Sequence, residues 1–474
     1  MESSRRLTGL FVGCLTVWLT FGCAAGTGSD LQTARSTAGT DPRGSAVIES
    51  ASGTLVARAG QGSCSRGAAP PGSVPWANLD EAGLAARGKV SRLTAEAGDP
   101  LSVVAVDTGA VVLGANQDFV TKPSADGSST SEMTKSDLVV QRVRDDGTTV
   151  WSVRLGVVQP WYGTGAHQLM ASDGQRIWIV WPRFDGTMPT PYDAMDTGPI
   201  VRSTLDINGA LLETTELRDH APPTQAIGSA FQSPVAVAAD GSTVLGTTDS
   251  HGFNVERFDG GGKSQWVRSL PGSASQYQPF LALAEGQVVA SFGQSITSWN
   301  PDGTQRWARP DTASAVAAVQ NVNAQDDVKA PAVVVSASIP GRDGVCVLDS
   351  FGNVISVATV DRTPTKGWWT DHGLLLLDQT RATGTDDSLA FVNPDGTTPA
   401  EIGLAGSGDI AGVPGSSVAD ITRAQDGRLL VVGSESDYKA GTHDPNLLEN
   451  WRFFWILPSP IGDGDLSAVP TTIR

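Results

Sequence analysis

A glycine-centred unit returns along this chain at long intervals, and it limits the folds open to the chain more than any other feature. Clear copies are Arg144-Asp145-Asp146-Gly147-Thr148-Thr149-Val150-Trp151, the stretch 258–266 about Gly262, and the stretch 299–307 about Gly303. In each copy a Trp stands four residues after the Gly: Trp151, Trp266 and Trp307. Fainter copies carry Gly209 in Asp206-Ile207-Asn208-Gly209, Gly352 in Asp349-Ser350-Phe351-Gly352, and Gly396 in Asn393-Pro394-Asp395-Gly396. Successive anchors lie roughly 40–60 residues apart, which is the length of one supersecondary unit in a repeat architecture.

A second set of turns interleaves with the first: Thr108-Gly109, Asp173-Gly174, Asp240-Gly241, Glu285-Gly286, His372-Gly373 and Asp426-Gly427. Strand-like text flanks most of them, such as Val235-Ala236-Val237-Ala238 before Gly241. Gly adopts positive φ freely, so Asp-Gly between such runs predicts a hairpin. Each repeat then reads as four strands, a to d, with one glycine hairpin between a and b and the other between c and d. The first repeat has strands predicted at 101–107, 110–115, 137–144 and 149–155. In the fifth repeat the first hairpin is replaced by the polar stretch 321–329. The last repeat has strands about Gly427 and at 451–457 but no glycine hairpin of its own. Its missing fourth strand stands at the other end of the body, in Arg87-Gly88-Lys89-Val90-Ser91-Arg92-Leu93. The expectation is an all-β, seven-bladed β-propeller over 85–457, closed by an N-terminal strand in the last blade. Closure removes the open terminal edge. Six or eight blades are the alternatives, and a β-sandwich pair or a solenoid the competing folds.

The ends of the chain read differently. Arg5 and Arg6 precede an apolar run over 7–22 that stops at Cys23. It is short for a spanning helix and suits a signal peptide, 1–22. The tract Leu19-Thr20-Phe21-Gly22-Cys23-Ala24 resembles a bacterial lipobox, in which the Cys thiol is lipidated. Gly22 fits that pattern, whereas Thr20 stands where Leu is preferred. Cleavage by the general signal peptidase and an uncleaved anchor are the alternatives. Residues 23–84 are mostly small and polar, the composition of a disordered, lipid-anchored linker, and 458–474 read as a C-terminal tail. These features predict an exported, membrane-anchored lipoprotein of the cell envelope, or a secreted protein if Cys23 is not used. With Cys14 and Cys23 set aside, Cys64 and Cys346 remain as a possible disulfide in an oxidising compartment, or as two free thiols.

Charge narrows the partners. Charged residues make up 18% of the chain and the net charge is −17. Nucleic acid and anionic lipid both call for clustered Lys and Arg, so neither is expected to bind, and membrane association would come through the lipid anchor only.

The unit "apolar run, Asp-x-x-Gly-x-x-x-Trp, apolar run" resembles the bacterial quinoprotein-like repeat and that of secreted bacterial β-propeller proteins. In them the Trp packs between neighbouring blades, a role the resemblance gives to Trp151, Trp266 and Trp307. Glu213, Ser356 and Ala400 occupy the matching places in the other copies. The resemblance spans roughly 85–457 and covers both pyrroloquinoline-quinone enzymes and scaffolds with no cofactor. The quinone enzymes hold calcium and quinone through Glu, Asn and Asp and often carry vicinal cysteines. This chain has no Cys-Cys pair and no complete docking motif. The expectation is no cofactor; neither pyrroloquinoline quinone nor calcium is supported.

No catalytic constellation stands out. The five histidines, His167, His220, His251, His372 and His443, are scattered through the sequence. The Asp-rich turns lack the Asp-x-Asp-x-Asp-Gly spacing of a calcium loop, and no Gly-x-Ser-x-Gly elbow is present. No catalytic residue or metal ligand is therefore assigned. The long connections, 116–136, 182–198, 435–450, 157–166, 218–230 and 271–278, all fall on the face opposite the glycine hairpins. Loops of that length are commonly functional. They gather Trp161, Tyr162, His167, Tyr192, His220, His251, Tyr277, Tyr438 and His443 as a candidate binding face. Exposed aromatics suit an envelope or surface protein, or a glycan. The function expected is a protein-binding or scaffold module. The alternatives are an envelope enzyme acting on a polysaccharide in the central channel and, more remotely, a quinone-dependent oxidoreductase.

Overall fold

A computed structural model describes residues 89–94, 97–123, 129–158, 169–183, 199–219, 235–249, 252–271, 280–284, 287–292, 295–309, 313–321, 331–339, 342–349, 351–359, 364–370, 373–378, 388–393, 400–403, 417–424, 426–438 and 448–457. The predicted signal peptide, the linker and the C-terminal tail lie outside these, and with them Cys23 and Cys64.

The described body is all-β. It begins with the short strand β1 (Lys89–Arg92). The first meander is β2 (Asp99–Ala105), β3 (Ala110–Pro123), β4 (Ser129–Val143) and β5 (Thr149–Val157). The second is β6 (Met170–Ser172), β7 (Arg176–Pro182), β8 (Ile200–Asp206) and β9 (Leu211–Arg218). The third is β10 (Val235–Val237), β11 (Thr243–Asp249), β12 (Gly252–Phe258) and β13 (Ser264–Pro271), and the fourth is β14 (Phe280–Ala284), β15 (Gln287–Phe292), β16 (Ser295–Trp299) and β17 (Gln305–Arg309). Two more follow: β18 (Ala313–Asn321), β19 (Pro331–Ile339), β20 (Arg342–Asp349) and β21 (Val354–Thr359), then β22 (Pro364–Thr370), β23 (Gly373–Asp378), β24 (Ser388–Val392) and β25 (Ala400–Gly403). Parallel pairing of β18 with β22 joins these two into one eight-stranded sheet. The last sheet contains β26 (Ser417–Arg423), β27 (Leu429–Tyr438) and β28 (Leu448–Leu457), and its fourth place is filled by β1. Lys89 pairs with Ile456 and Arg92 with Phe453. β1 and β28, near the two ends of the described body, thus share one sheet.

First strands lie against one another from β2 through β6, β10, β14 and β18 to β22, and β26 lies against β2. Four-stranded meanders associated through their first strands make the strand arrangement of a β-propeller repeat protein. Burial follows from it. β7 is buried from Ile177 through Pro182 and β15 along its whole length, because neighbouring sheets cover both faces of a middle strand. Such strands read as continuous apolar runs. β5, a last strand, alternates instead. The apolar core lies between sheets. One cluster joins residues of the first three sheets about Trp178 and Trp181, one joins the third and fourth about Phe253 and Phe292, and one joins the last and first about Val112, Leu430 and Phe454.

The glycine hairpins share one geometry. In 144–148, Gly147 N donates to Arg144 O at 2.8 Å and Arg144 N to Thr148 O at 2.9 Å. The same pair of bonds recurs at 206–210, 259–263, 300–304, 238–242 and 424–428. Each Gly sits near φ +80°, for example +83° at Gly147 and +80° at Gly303. This is a three-residue loop, a type I turn closed by a left-handed Gly, and the strand register shifts beside the c–d copies, as at Arg142/Val143 and Ser298/Trp299.

Two of the predicted loops are instead paired strands. β3 and β4 stay paired out to Pro123↔Ser129, with one register shift between Asp118 and Phe119, and β27 and β28 pair in register out to Tyr438↔Leu448. The predicted loops 116–136 and 435–450 are thus mostly hairpin arms. Phe119-Val120-Thr121 and Ser129-Thr130-Ser131 have the β-compatible composition to continue the ladder. β2 pairs with β3 only as far as Ala115, and β5 with β4 only from Asp137. The first arm therefore extends beyond its own sheet.

Candidate functional site

The residues that carry chemistry in the described body are concentrated at the joints between sheets. The Trp of one repeat packs on the anchor glycine of the next, as the resemblance implies. Trp151 lies on Gly209, where an added Cβ would stand 2.7 Å from the ring, and its Nε1 donates to Ile207 O at 3.0 Å. Trp266 lies in the same way on Gly303, with 2.7 Å to a Cβ, and donates to Pro301 O at 2.9 Å. Trp307 covers Gly352, with 2.6 Å to a Cβ. Each of these glycines is needed twice, for its positive φ and for the ring above it.

A set of arginines accompanies the rings. Arg268 Nε donates to Gly303 O at 2.8 Å, Arg309 Nη1 to Gly352 O at 2.7 Å, and Arg142 Nη1 to Ile207 O at 3.2 Å. Arg202 reaches furthest. It is fully buried, and it donates to Gly241 O at 2.5 Å, Asp259 O at 3.0 Å and Gly260 O at 2.6 Å. It therefore grips both glycine turns of the third sheet, which places the two turn series on one face. Burial pushes its pKa below the usual guanidinium value, opposed by the charges of Glu213, Asp259 and Asp240. These arginines carry no assignment in the sequence reading. The signal was there as Trp-x-Arg, in Trp266-Val267-Arg268 and Trp307-Ala308-Arg309.

The joint between the last and first sheets has its own polar links. Asp420, buried on β26, accepts from Ser102 Oγ and Val103 N, both at 2.9 Å. Arg452 pairs with Asp99 at 3.0 Å, and Arg428 bridges Asp426 at 2.5 Å and Asp145 at 2.9 Å. Burial works against the Arg428 charge, but its hydrogen bonds to Asp145 and Asp426 outweigh that and its pKa rises. Ser91 Oγ donates to Asp146 O at 3.2 Å, tying β1 to the first c–d turn.

The turn aspartates serve their own loops. Asp146 Oδ1 accepts from Thr148 N at 2.9 Å and Thr148 Oγ1 at 2.6 Å, and Asp302 does the same with Thr304 at 2.9 and 2.6 Å. Both carboxyls are held below the ordinary Asp pKa, first by the Thr hydroxyl and then by its N–H. Asp259 Oδ1 takes Gly261 N and Lys263 N, both at 2.9 Å. Among the described residues no group of three or more His, Cys, Asp or Glu side chains is arranged to hold a metal ion.

Of the predicted binding face, Trp161, Tyr162, His167, Tyr192, His220, His251, Tyr277 and His443 lie outside the described residues. Tyr438 ends β27, opposite Leu448 in the register. Of the two cysteines proposed to pair, Cys346 stands in β20 between Val335 and Val357, and Cys64 lies outside. The joints thus hold sheets together, whereas the paired arms run on past the neighbouring strands of the first and last sheets.

No family model matches the chain, and no curated protein matches it. Solved structures do. BamB from Moraxella catarrhalis aligns at 13% identity over 77% of this chain and 96% of its own, with a TM-score of 0.39. Sqt1 from Saccharomyces cerevisiae aligns at 9% identity over 77% and 97%, with a TM-score of 0.41. A eukaryotic initiation factor aligns at 9% identity over 67% and 78%, with a TM-score of 0.34. At such identities the likeness is one of fold alone.

Proposed function

We propose that this chain is an exported, lipid-anchored, seven-bladed propeller that acts as a protein-binding scaffold in a bacterial cell envelope. The observation that carries the reading is the β3–β4 arm. A two-stranded ribbon continued past its sheet adds nothing to the sheet's own pairing, and an isolated hairpin is marginal in water. Its natural use is to reach another molecule, on the side of the fold opposite the glycine turns. The aromatic connections about Trp161, Tyr192 and His443 belong to the same surface in this reading. Counting β1 as the last strand of the final sheet gives seven blades. Cys23 supplies the anchor, 23–84 the tether, and no cofactor is needed.

Three measurements test this. Replacing 117–135 by a tight turn, or deleting 184–197, should leave melting unchanged and remove the crosslinked partner from native envelopes; an unaltered partner set refutes the binding face. Cys23→Ser should move the protein from the membrane to the soluble fraction, and unchanged fractionation refutes the anchor. Calcium with pyrroloquinoline quinone, and a panel of envelope glycans, should leave the melting temperature where it is. A rise with calcium and quinone favours an oxidoreductase, and a rise with a glycan favours a carbohydrate ligand over a protein partner, since a ligand bound only by the native state stabilises it by mass action.

A further inference from the structure

β9 differs in its charges from β5, β13 and β17, the last strands of the first, third and fourth sheets. It pairs with β8 on one side and is terminal in its sheet. Leu211 and Leu212, where the register with β8 shifts, are 52% and 54% exposed, and Glu213, Thr214 and Glu216 are exposed too. Charged side chains, Pro, bulges and shortness are the usual guards of an open edge; the β8–β9 register shifts near both ends, and the charges that β9 presents besides Arg218 are the carboxylates Glu213 and Glu216. β5 carries Arg154, β13 carries Arg268 and ends at Pro271, and β17 has five residues, two of them Arg306 and Arg309. β9 has no Pro, and its one basic residue, Arg218, is paired with Glu256 at 2.5 Å.

Its sequence also decides what could add to it. Backbone groups point alternately toward and away from the open edge, so two copies of it pair antiparallel only through residues of like parity. Within Glu213–Glu216, Glu213 then meets Thr215 or its own copy and Glu216 meets Thr214 or its own copy, and neither carboxylate gains a cation. A second copy is thus disfavoured, while the same two carboxylates complement a strand of opposite charge. We infer that the free edge of β9 is a docking site for an extended segment of a partner protein bearing two basic residues three apart, which adds as a fifth, antiparallel strand to the second sheet. Backbone bonds supply the pairing, the two cations meet Glu213 and Glu216, and apolar neighbours cover Leu211 and Leu212.

The probe is a fluorescein-labelled peptide, Val-Lys-Thr-Thr-Lys-Val, with Val-Glu-Thr-Thr-Glu-Val as its counterpart, followed by anisotropy with the full chain at low salt. The Lys peptide binds and the Glu peptide does not; equal binding overturns the inference. Glu216→Lys, at an exposed position expected to leave melting unchanged, weakens the Lys peptide roughly tenfold, and Glu213→Gln, milder because Glu213 also supports Arg202, weakens it less. Two Lys peptides N-methylated on alternate amides distinguish strand addition from simple charge attraction: one loses binding and the other keeps it, and equal binding of the two refutes the strand. Sedimentation at neutral pH gives a monomer; a dimer displaced by the peptide overturns the choice of occupant. Shortening 117–135 or 184–197 leaves the peptide bound, so this inference and the proposed binding face fail separately.

Discussion

Two joints built from the same repeat are held in different ways. Between the third and fourth sheets, Trp266 rests on Gly303 with its indole bonded to Pro301 O, and a partly exposed Arg268 adds a bond to Gly303 O. Between the second and third sheets no ring covers the c–d glycine, and Trp178 of β7 lies instead on the a–b glycine, Gly241. Glu213 holds the Trp position, a Thr215 methyl meets Gly262, and the buried Arg202 binds three turn carbonyls, with Arg218–Glu256 beside it. Burying a Trp removes about 150–250 Å² from water, worth on the order of 4–6 kcal/mol as an upper figure. A buried guanidinium gains about 1.5–3 kcal/mol per charged hydrogen bond but loses several on leaving water. At the c–d glycine the ring contact is therefore the stronger by net gain. The arginine contact is the less forgiving, because one side chain holds carbonyls of both turns at once. A propeller can hold its sheets by apolar area or by a buried, hydrogen-bonded charge, provided the turn presents either a bare glycine or its carbonyls.

The comparison breaks first at the rings. Trp307→Ala, at 1% exposure, should cost about 3–5 kcal/mol in urea unfolding; a loss below about 1 kcal/mol would mean that the ring does not hold its joint. Arg202→Met should cost about 3 kcal/mol, since it removes three charge-assisted bonds, taking the Arg202 donor from Gly260 O and leaving Gly241 O to Thr243 Oγ1 and Asp259 O to Gly262 N. Arg268→Met, at a more exposed site, should stay within about 1 kcal/mol. If the two arginine variants melt together, burial is not what separates them.

The glycines sharpen the contrast. Gly303→Ala and Gly262→Ala share the cost of a left-handed residue, about 1–2 kcal/mol. At Gly303 the new Cβ meets a packed indole at 2.7 Å, which cannot turn aside. At Gly262 it meets the Thr215 methyl at 2.4 Å, which can change rotamer. The first variant should therefore lose about 1 kcal/mol more than the second, read as a difference in urea midpoint.

Much of this architecture was legible before the structure. Positive-φ turns need Gly, so Gly147, Gly209, Gly262, Gly303 and Gly352 marked the hairpins, and the orphaned last sheet pointed to 87–93 as its missing strand. The arms were misread because Thr, Ser and Asn text over 116–136 looks like a loop until a partner strand supplies its hydrogen bonds, and pairing is a non-local fact. The arginine grips were missed for a related reason. Arg202 sits in Ile200-Val201-Arg202-Ser203-Thr204, where strand alternation allows an exposed residue, and only the next sheet's turns make it a buried one. The binding face, apart from Tyr438, lies outside the described residues, so the sequence remains its source.

The smallest expected effect lies in the turn beneath the Trp266 ring. Asp302 is solvent-exposed, and its pKa is lowered by Thr304 Oγ1 and then by Thr304 N. A carboxyl whose folded pKa is below its unfolded value of about 3.9 favours the folded state in its ionised form. That contribution is complete at pH values well above 3.9 and is lost as pH falls through the depressed folded value. Asp302→Asn keeps an oxygen acceptor but not the charge, so it should melt slightly below the parent at neutral pH. The gap should close on acidification through the region below about pH 4, because the parent then loses what the variant never had. Asp146→Asn should behave alike, since Thr148 holds its carboxyl in the same way. A gap that is constant with pH would assign the effect to turn geometry, and the Asp-Gly-Thr hairpins would then owe their stability to glycine and not to the carboxylate.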